Sequence, residues 1–326
     1  MTDEFRRKLT LSRHATNRRA ELRNNSELLE QLRNEPTTRV LVLSEGKALV
    51  RENVLVTHAV SHIDVVVNGT ELDYVFLGEA THDHHDVTTG TAFFAVSVDS
   101  KLAPDLIAED ASWVDLRSVA HHLSDLDAGL FTQALALSNW QDSYRYSPVD
   151  GQELFSQDAG WVKESPQSPG KSVFPRTDPA IIVLVTDAED RVLLGNNAMW
   201  DSNRYSLLAG FVEPGESLEA AVIREVKEEA GIDVVNPEYL GSQPWPFPRS
   251  LMLGFHARLA PGQNPERVQA DGEEILNLRW FTREELVSAL DEIVLPSQPA
   301  ISRSLIEHWL GSELDDVTSW NGAESE

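Results

Sequence analysis

Residues 210–232 read GFVEPGESLEAAVIREVKEEAGI, and their order predicts a tight loop running into a helix that gathers carboxylates on one side. Gly210 and Gly215, flanking Pro214, mark the loop, and Ser217 and Leu218 open a helix of good helix formers. Gly231 supplies a left-handed cap at its end. At about 100° per residue, Glu225, Glu228 and Glu229 fall within an arc of roughly 100°. Leu218, Val222 and Val226 run up the helix beside that arc, so the carboxylates border a packed seam. Like charges gathered there raise one another's pKa unless a cation or an arginine compensates. A hard divalent ion such as Mg²⁺ or Mn²⁺ answers that need with oxygen ligands. The competing reading is a solvated acidic face with Arg224 and Lys227 as salt-bridge partners.

The glycines favour the first reading. Gly210, five residues, Glu216, seven residues, then Arg224-Glu225-Val226-Lys227-Glu228-Glu229-Ala230-Gly231-Ile232 resembles the signature of the Nudix hydrolases at every defined position. That resemblance implies an α/β fold, the Nudix α/β/α sandwich with a mixed sheet, and hydrolysis of a nucleoside diphosphate linked to another group. It also implies two or three Mg²⁺ or Mn²⁺ ions per site, held by Glu225, Glu229, the backbone carbonyl of Ala209 and Glu274. Glu228 is the candidate for assisting the attacking water. Arg224 is expected to orient the glutamates, and Glu216 to brace the loop.

Downstream, residues 242–250 read SQPWPFPRS. Three prolines fix φ and argue against both helix and central strand. Such a rigid segment can present Trp245 and Phe247 as flat surfaces for a base or a nicotinamide ring, with Gln243 and Ser250 as polar contacts. The plainer reading is a pair of aromatics pinned in a core corner. At this distance after a Nudix box the segment resembles the hallmark of the NADH pyrophosphatases, the NudC-type subfamily. The resemblance assigns substrate contacts to Gln243, Pro244, Trp245, Pro246, Phe247, Pro248, Arg249 and Ser250. It adds Phe174, where the subfamily usually has tyrosine, and Ser302, in a segment resembling the family's substrate-closing one.

The implied activity is divalent-metal-dependent hydrolysis of the pyrophosphate of NADH or NAD⁺, giving nicotinamide mononucleotide and AMP, by a homodimer. Three alternatives stand beside it. They are removal of an NAD cap from RNA 5′ ends by the same site, another Nudix substrate such as ADP-ribose, and a dinucleotide-binding module without catalysis.

The rest of the chain sets bounds. With 326 residues, 41% of them apolar, two domains with real cores are expected. A formal charge of −26 argues against nonspecific binding to nucleic acid or to an anionic membrane. No apolar run approaches membrane-spanning length, and the basic opening residues lack the apolar block of a signal or anchor. The absence of cysteine excludes disulfides and fits a cytoplasmic protein.

Four regions are expected: an N-terminal α+β domain over 1–140, a linker over 141–175, the Nudix domain over 176–310, and a disordered acidic tail over 311–326. The first domain reads as a helix from about Ala15 to Arg33. Strands at Arg39–Leu43, Ala48–Val50, Tyr74–Leu77 and Ala92–Val98 follow, with turns at Gly46 and Gly69, then helical patterns through Trp140. His82-Asp83-His84-His85-Asp86 reads as a solvated hairpin tip rather than a metal site.

In the NADH pyrophosphatases residues 141–175 would form a zinc ribbon with two Cys-x-x-Cys pairs. Here Ser147, Asp150, Ser165 and Ser168 stand in the cysteine slots. Without thiolate or imidazole there is no tetrahedral zinc site, so a metal-free ribbon packed around Trp161 is expected.

Overall fold

The computed structural model describes residues 3–67, 72–107, 110–315 and 319–320. The chain forms two compact units. One takes in Met1–Ser12, Asp178–Pro244 and Ser250–Glu326, and the other takes in Arg13–Thr177 and Trp245–Arg249.

In the first unit the apolar run Ala180–Val185 lies within the strand Asp178–Thr186, at the middle of a six-stranded sheet. Strands run in the order Val234–Trp245, Ser250–Leu259, Asp178–Thr186, Val192–Asn197 and Ile275–Phe281, with Leu208–Phe211 also paired to the central strand. The sheet is mixed. Asp178–Thr186 runs parallel to Ser250–Leu259 and antiparallel to Leu208–Phe211.

A strand this apolar needs cover on both faces, and alternate side chains receive it. Ile181, Val183 and Val185 pack with Ala221, Val222 and Val226 of the helix Leu218–Ala230. Ile182 and Leu184 pack on the other side with Leu286, Ile301 and Leu305 from the helices Arg283–Ala289 and Ile301–Leu310, and with Phe5 and Leu9. Helix, sheet and helix are thus layered as a Nudix-type α/β/α sandwich, and each such buried side chain contributes about 1.5–3 kcal/mol. Thr282 and Glu285 form the capping box that starts the helix Arg283–Ala289.

The expectation of a disordered tail from 311 does not hold for 311–315. The buried guanidinium of Arg303 needs acceptors and donates to the carbonyls of Leu314 and Asp315, and Leu314 is itself buried. Ser319–Trp320 pairs with Leu295–Pro296. Residues 316–318 and 321–326 lie outside the described residues, as does Gly69.

The second unit is strand-rich, as expected. The strands Arg39–Ser44, Lys47–Arg51, Val75–Ala80 and Ala92–Ser97 form the body of an eight-stranded sheet, and the helix Asp125–Ser143 contacts it. Gly46 turns the first pair with φ 73°. His82–Asp86 lies on the loop between Val75–Ala80 and Ala92–Ser97.

The long helix expected from Ala15 to Arg33 is corrected to Ser26–Asn34. Asn25 caps it by accepting the N–H of Leu28 at 3.1 Å, Arg19 takes a left-handed φ of 42°, and Thr16–Asn17 pairs as a strand with Val75–Ala80. Local helix propensity loses here to sheet pairing and an internal cap.

Residues 155–164 make a two-stranded ribbon, Phe155–Gln157 against Val162–Glu164. The four cysteine slots are wired by hydrogen bonds instead. The Ser168 hydroxyl donates to the Asp150 carboxylate. Ser147 Oγ accepts the N–H of Val149 at 3.2 Å, and Ser165 Oγ accepts that of Gln167 at 3.2 Å. Trp161 donates its indole N–H to the Phe76 carbonyl at 2.8 Å, with the Arg23 guanidinium 3.5 Å over its ring.

Candidate active site

The acidic helix is built as its sequence dictates. Ser217 caps it by accepting the N–H of Ala220 at 3.2 Å, and Gly231 ends it with φ 68°. Val222 and Val226 are wholly buried, and they draw the neighbouring Glu225 and Glu229 inward with them. Glu228, one step further round, keeps its side chain 60% exposed.

Arg224 sorts these charges. Its Nε and Nη2 bond the two oxygens of Glu216, each at 2.9 Å. Its Nη1 reaches Glu225 at 2.8 Å and Glu228 at 3.1 Å, and Nη2 also donates to the Phe211 carbonyl at 2.9 Å. The guanidinium therefore staples the helix to the loop before it, by the bidentate geometry that carboxylates favour. The Arg224 hydrogen bond holds Glu216 below its ordinary pKa. Burial pushes Glu225 up, and Arg224 partly offsets that rise.

Glu229 receives no such help. It is 3% exposed, and its Oε2 is buried with no hydrogen-bond partner. Burial first, then the charges of Glu274, Glu225, Asp271 and Glu228, push its pKa up to about 9. Glu274, from the loop before the strand Ile275–Phe281, is thereby in electrostatic reach of both Glu229 and Glu225. Asp271 shapes that loop by accepting the N–H groups of Glu273, Glu274 and Ile275 at 2.9, 3.0 and 2.9 Å.

Ala209 sits beside Gly210 in the strand Leu208–Phe211, opposite Ile182. A Cβ at Gly210 would lie 2.0 Å from Glu225 Cδ, so only glycine lets that carboxylate reach the strand carrying Ala209. Among the described residues no three His, Asp or Glu side chains already form a metal-holding group. Glu225 and Glu228 lean on Arg224 instead. The donor set nonetheless suits a hard divalent cation, because an unpartnered buried oxygen, three further carboxylates and a strand carbonyl are hard oxygen ligands.

The expected ring-binding segment is divided differently from its sequence reading. Gln243–Trp245 belongs to the strand Val234–Trp245, and Pro246–Arg249 is a turn leading to the strand at Ser250. The prolines do not keep the segment out of the sheet. Val234–Trp245 is the edge strand, the place in a sheet where proline is tolerated.

Gln243 is fully buried. Its Oε1 accepts the Leu11 N–H at 3.2 Å and its Nε2 donates to the Pro299 carbonyl at 2.7 Å, so its amide is committed to the backbone. Ser302 is buried in the helix Ile301–Leu310. Pro244 and Ser250 are half-buried in the same unit as the box.

Trp245, Pro246, Phe247, Pro248 and Arg249 belong to the other unit, as does Phe174, whose ring is 64% exposed. Trp245 and Phe247 meet edge to face at 4.9 Å and 71°. Two residues with no signal in the sequence hold this turn. Asn139 Nδ2 donates to the Pro246 and Pro248 carbonyls at 2.9 and 3.1 Å, and the Arg117 guanidinium lies 4.1 Å from the Phe247 ring centroid. Both are more than a hundred positions away in the chain, so nothing local announces them.

Comparison with known proteins gives the family of both parts of the chain. The NUDIX domain family matches residues 176–303, and the NADH pyrophosphatase-like rudimentary NUDIX domain matches residues 37–140. The NAD-capped RNA hydrolase NudC of Mycobacterium bovis is 41% identical over 249 residues, spanning 73% of this chain and 76% of the relative. The protein of the same name from Mycobacterium tuberculosis matches to the same extent, 41% over 249 residues. That of Pseudomonas aeruginosa is 40% identical over 200 residues, 61% of this chain and 67% of the relative.

Proposed function

Since the chain belongs to the Nudix hydrolases of the NADH pyrophosphatase (NudC) kind, and so is an enzyme, we propose that it hydrolyses the pyrophosphate bond of NADH or NAD⁺. The products are nicotinamide mononucleotide, reduced or oxidised, and AMP. The observation that carries this reading is Glu229, a buried carboxylate with an unpartnered oxygen in the field of four other acids. Leaving such a group unpaired costs stability, and a bound cation would offset that cost.

Glu225, Glu229, Glu274 and the Ala209 carbonyl would hold divalent cations, Mg²⁺ or Mn²⁺, two or three per site. Such cations, when bound, supply positive charge against the pyrophosphate oxygens as the P–O bond breaks. Arg224 keeps Glu216, Glu225 and Glu228 aimed from one point. Glu228, held by one oxygen and open to solvent, would take the proton of the attacking water. Trp245 and Phe247 receive a flat ring, with Phe174 a further stacking surface. Gln243, itself buried, acts by holding the backbone at Pro299, and Ser302, buried in the helix Ile301–Leu310, lines the same segment. The ribbon over 141–175 carries no zinc in this reading, since serines and an aspartate occupy the cysteine slots.

The names of the relatives support a second substrate for the same site, the NAD cap at an RNA 5′ end. A net charge of −26 limits such a contact to the cap and its first phosphates. We further propose a cytoplasmic homodimer. Among the described residues no helix is long and apolar enough to cross a membrane. A panel of NADH, NAD⁺, NAD-capped RNA and ADP-ribose, assayed with Mg²⁺ or Mn²⁺ and with products identified, tests the reading. Release of AMP from NADH supports it, and cleavage of ADP-ribose alone contradicts it.

A further inference from the structure

We propose that Arg117 is a positioning and specificity residue, which sets the Trp245–Phe247 pair and disfavours a cationic ring stacked on it relative to a neutral ring of the same shape. The inference rests on the reading above, in which these aromatics receive one ring of a dinucleotide.

Two contacts hold the turn. Asn139 sits on the 19-residue helix Asp125–Ser143 and ties down two of its backbone carbonyls. Arg117 lies in the short helix Leu116–Val119, and its guanidinium carbon is 4.1 Å from the Phe247 centroid and 5.7 Å from that of Trp245. Asn139 therefore fixes the path of the chain, and Arg117 fixes the rings. The guanidinium sits against both rings of the aromatic pair, so the ligand ring of the reading above would take a ring face turned away from it.

Arg117 Nε is buried without a hydrogen-bond partner, so stacking on the aromatics is what engages that edge of the group. Asp115 is the charged neighbour that acts on it, and its carboxylate is already committed to the Ser118 N–H at 3.1 Å. The guanidinium thus presents positive charge through the aromatic layer. A ligand ring stacked on the far side lies roughly two ring spacings, about 7–8 Å, from that charge. Coulomb's law over this distance, with an effective dielectric between surface and bulk values, gives about a twofold to thirtyfold discrimination. The oxidised nicotinamide ring is a cation and the reduced ring is neutral. Adenine is neutral in both dinucleotides.

The test uses the full chain with Mn²⁺, comparing wild type, Arg117→Met, Arg117→Lys and Asn139→Ala. It measures kcat and KM for NADH, NAD⁺ and ADP-ribose with products identified. Arg117→Met is expected to lower the NADH to NAD⁺ ratio of kcat/KM at least about twofold, and Arg117→Lys to retain most of it. Asn139→Ala is expected to raise KM for both dinucleotides together and leave the ratio unmoved. A merely structural role for Arg117 would depress all three substrates in parallel. Should the Arg117→Met variant fail to fold, Arg117→Gln carries the same prediction. Cleavage by wild type with an unmoved ratio in the uncharged variants overturns the assignment alone. Wild-type protein that cleaves neither dinucleotide sinks the functional reading and this assignment with it.

Discussion

The Glu225 carboxylate lies where a side chain on Gly210 would be: a Cβ there would stand 2.0 Å from Glu225 Cδ and 2.1 Å from Oε1. The strand glycine and the helix glutamate are parts of one device. The first has no side chain so that the second can reach the strand.

Gly210→Ala is therefore expected to separate stability from activity. The atoms in the way are the far end of a flexible side chain, so the helix need not move, and the melting temperature should change by no more than a few degrees. The displaced carboxylate should cost at least about tenfold in kcat and raise the concentration of Mn²⁺ needed for half-maximal rate. Circular dichroism melts and metal titrations of the rate check both halves.

Within the Nudix unit, the sequence announced both the fold and the acids. Glycines, a capping serine and a period of 3.6 specify the helix, and the apolar run Ala180–Val185 specifies a strand covered on both faces. Arg224 and Glu216 were legible for the same reason, because eight positions on a loop and helix make a local relationship. What was not legible is long-range. Asn139 and Arg117 meet the Trp245–Phe247 turn only after folding, and Gln243 proved buried because Leu11 and Pro299 come to its amide. The helix read from Ala15 to Arg33 failed similarly, since the pairing of Thr16 with Ala80 has no trace in local propensity.

The rudimentary Nudix unit should be acid-labile through His58. Its imidazole is buried and stacked on His62 at 5.1 Å, and its Nε2 has no partner. Burial first, then His62, pushes its pKa down to about 4 from an ordinary 6.5. The unfolded chain binds the proton more tightly, so the stabilisation is complete above pH 6.5 and is lost as pH falls through about 4. His58→Phe should flatten this stretch of the stability–pH curve by about 1–2 kcal/mol, after allowance for solvent at the ring edge. Denaturant melts at pH 7, 5.5 and 4.5 measure it, and parallel curves for both proteins would refute it.

Lys163 stands in for part of what a zinc ribbon would supply. Its ammonium is buried and donates to the carbonyls of Gln141 and Tyr144 at 2.7 and 2.9 Å, tying the ribbon to the end of the helix Asp125–Ser143. Lys163→Met leaves those carbonyls unpaired and should cost about 1–3 kcal/mol. Elemental analysis of the wild-type protein should find no stoichiometric zinc, and one zinc per chain would show that the serine and aspartate slots had been misread.

The central claim is that Glu229 is kept buried and unpartnered to bind a divalent cation for pyrophosphate hydrolysis. Its direct test is the rate of AMP release from NADH by Glu229→Gln against wild type, with saturating Mn²⁺ and with folding verified by thermal melts. The account predicts a fall of at least about a hundredfold, with a melting temperature in EDTA equal to or above that of wild type, because a neutral amide replaces a carboxylate that burial disfavours. Wild-type turnover by the folded variant would contradict it.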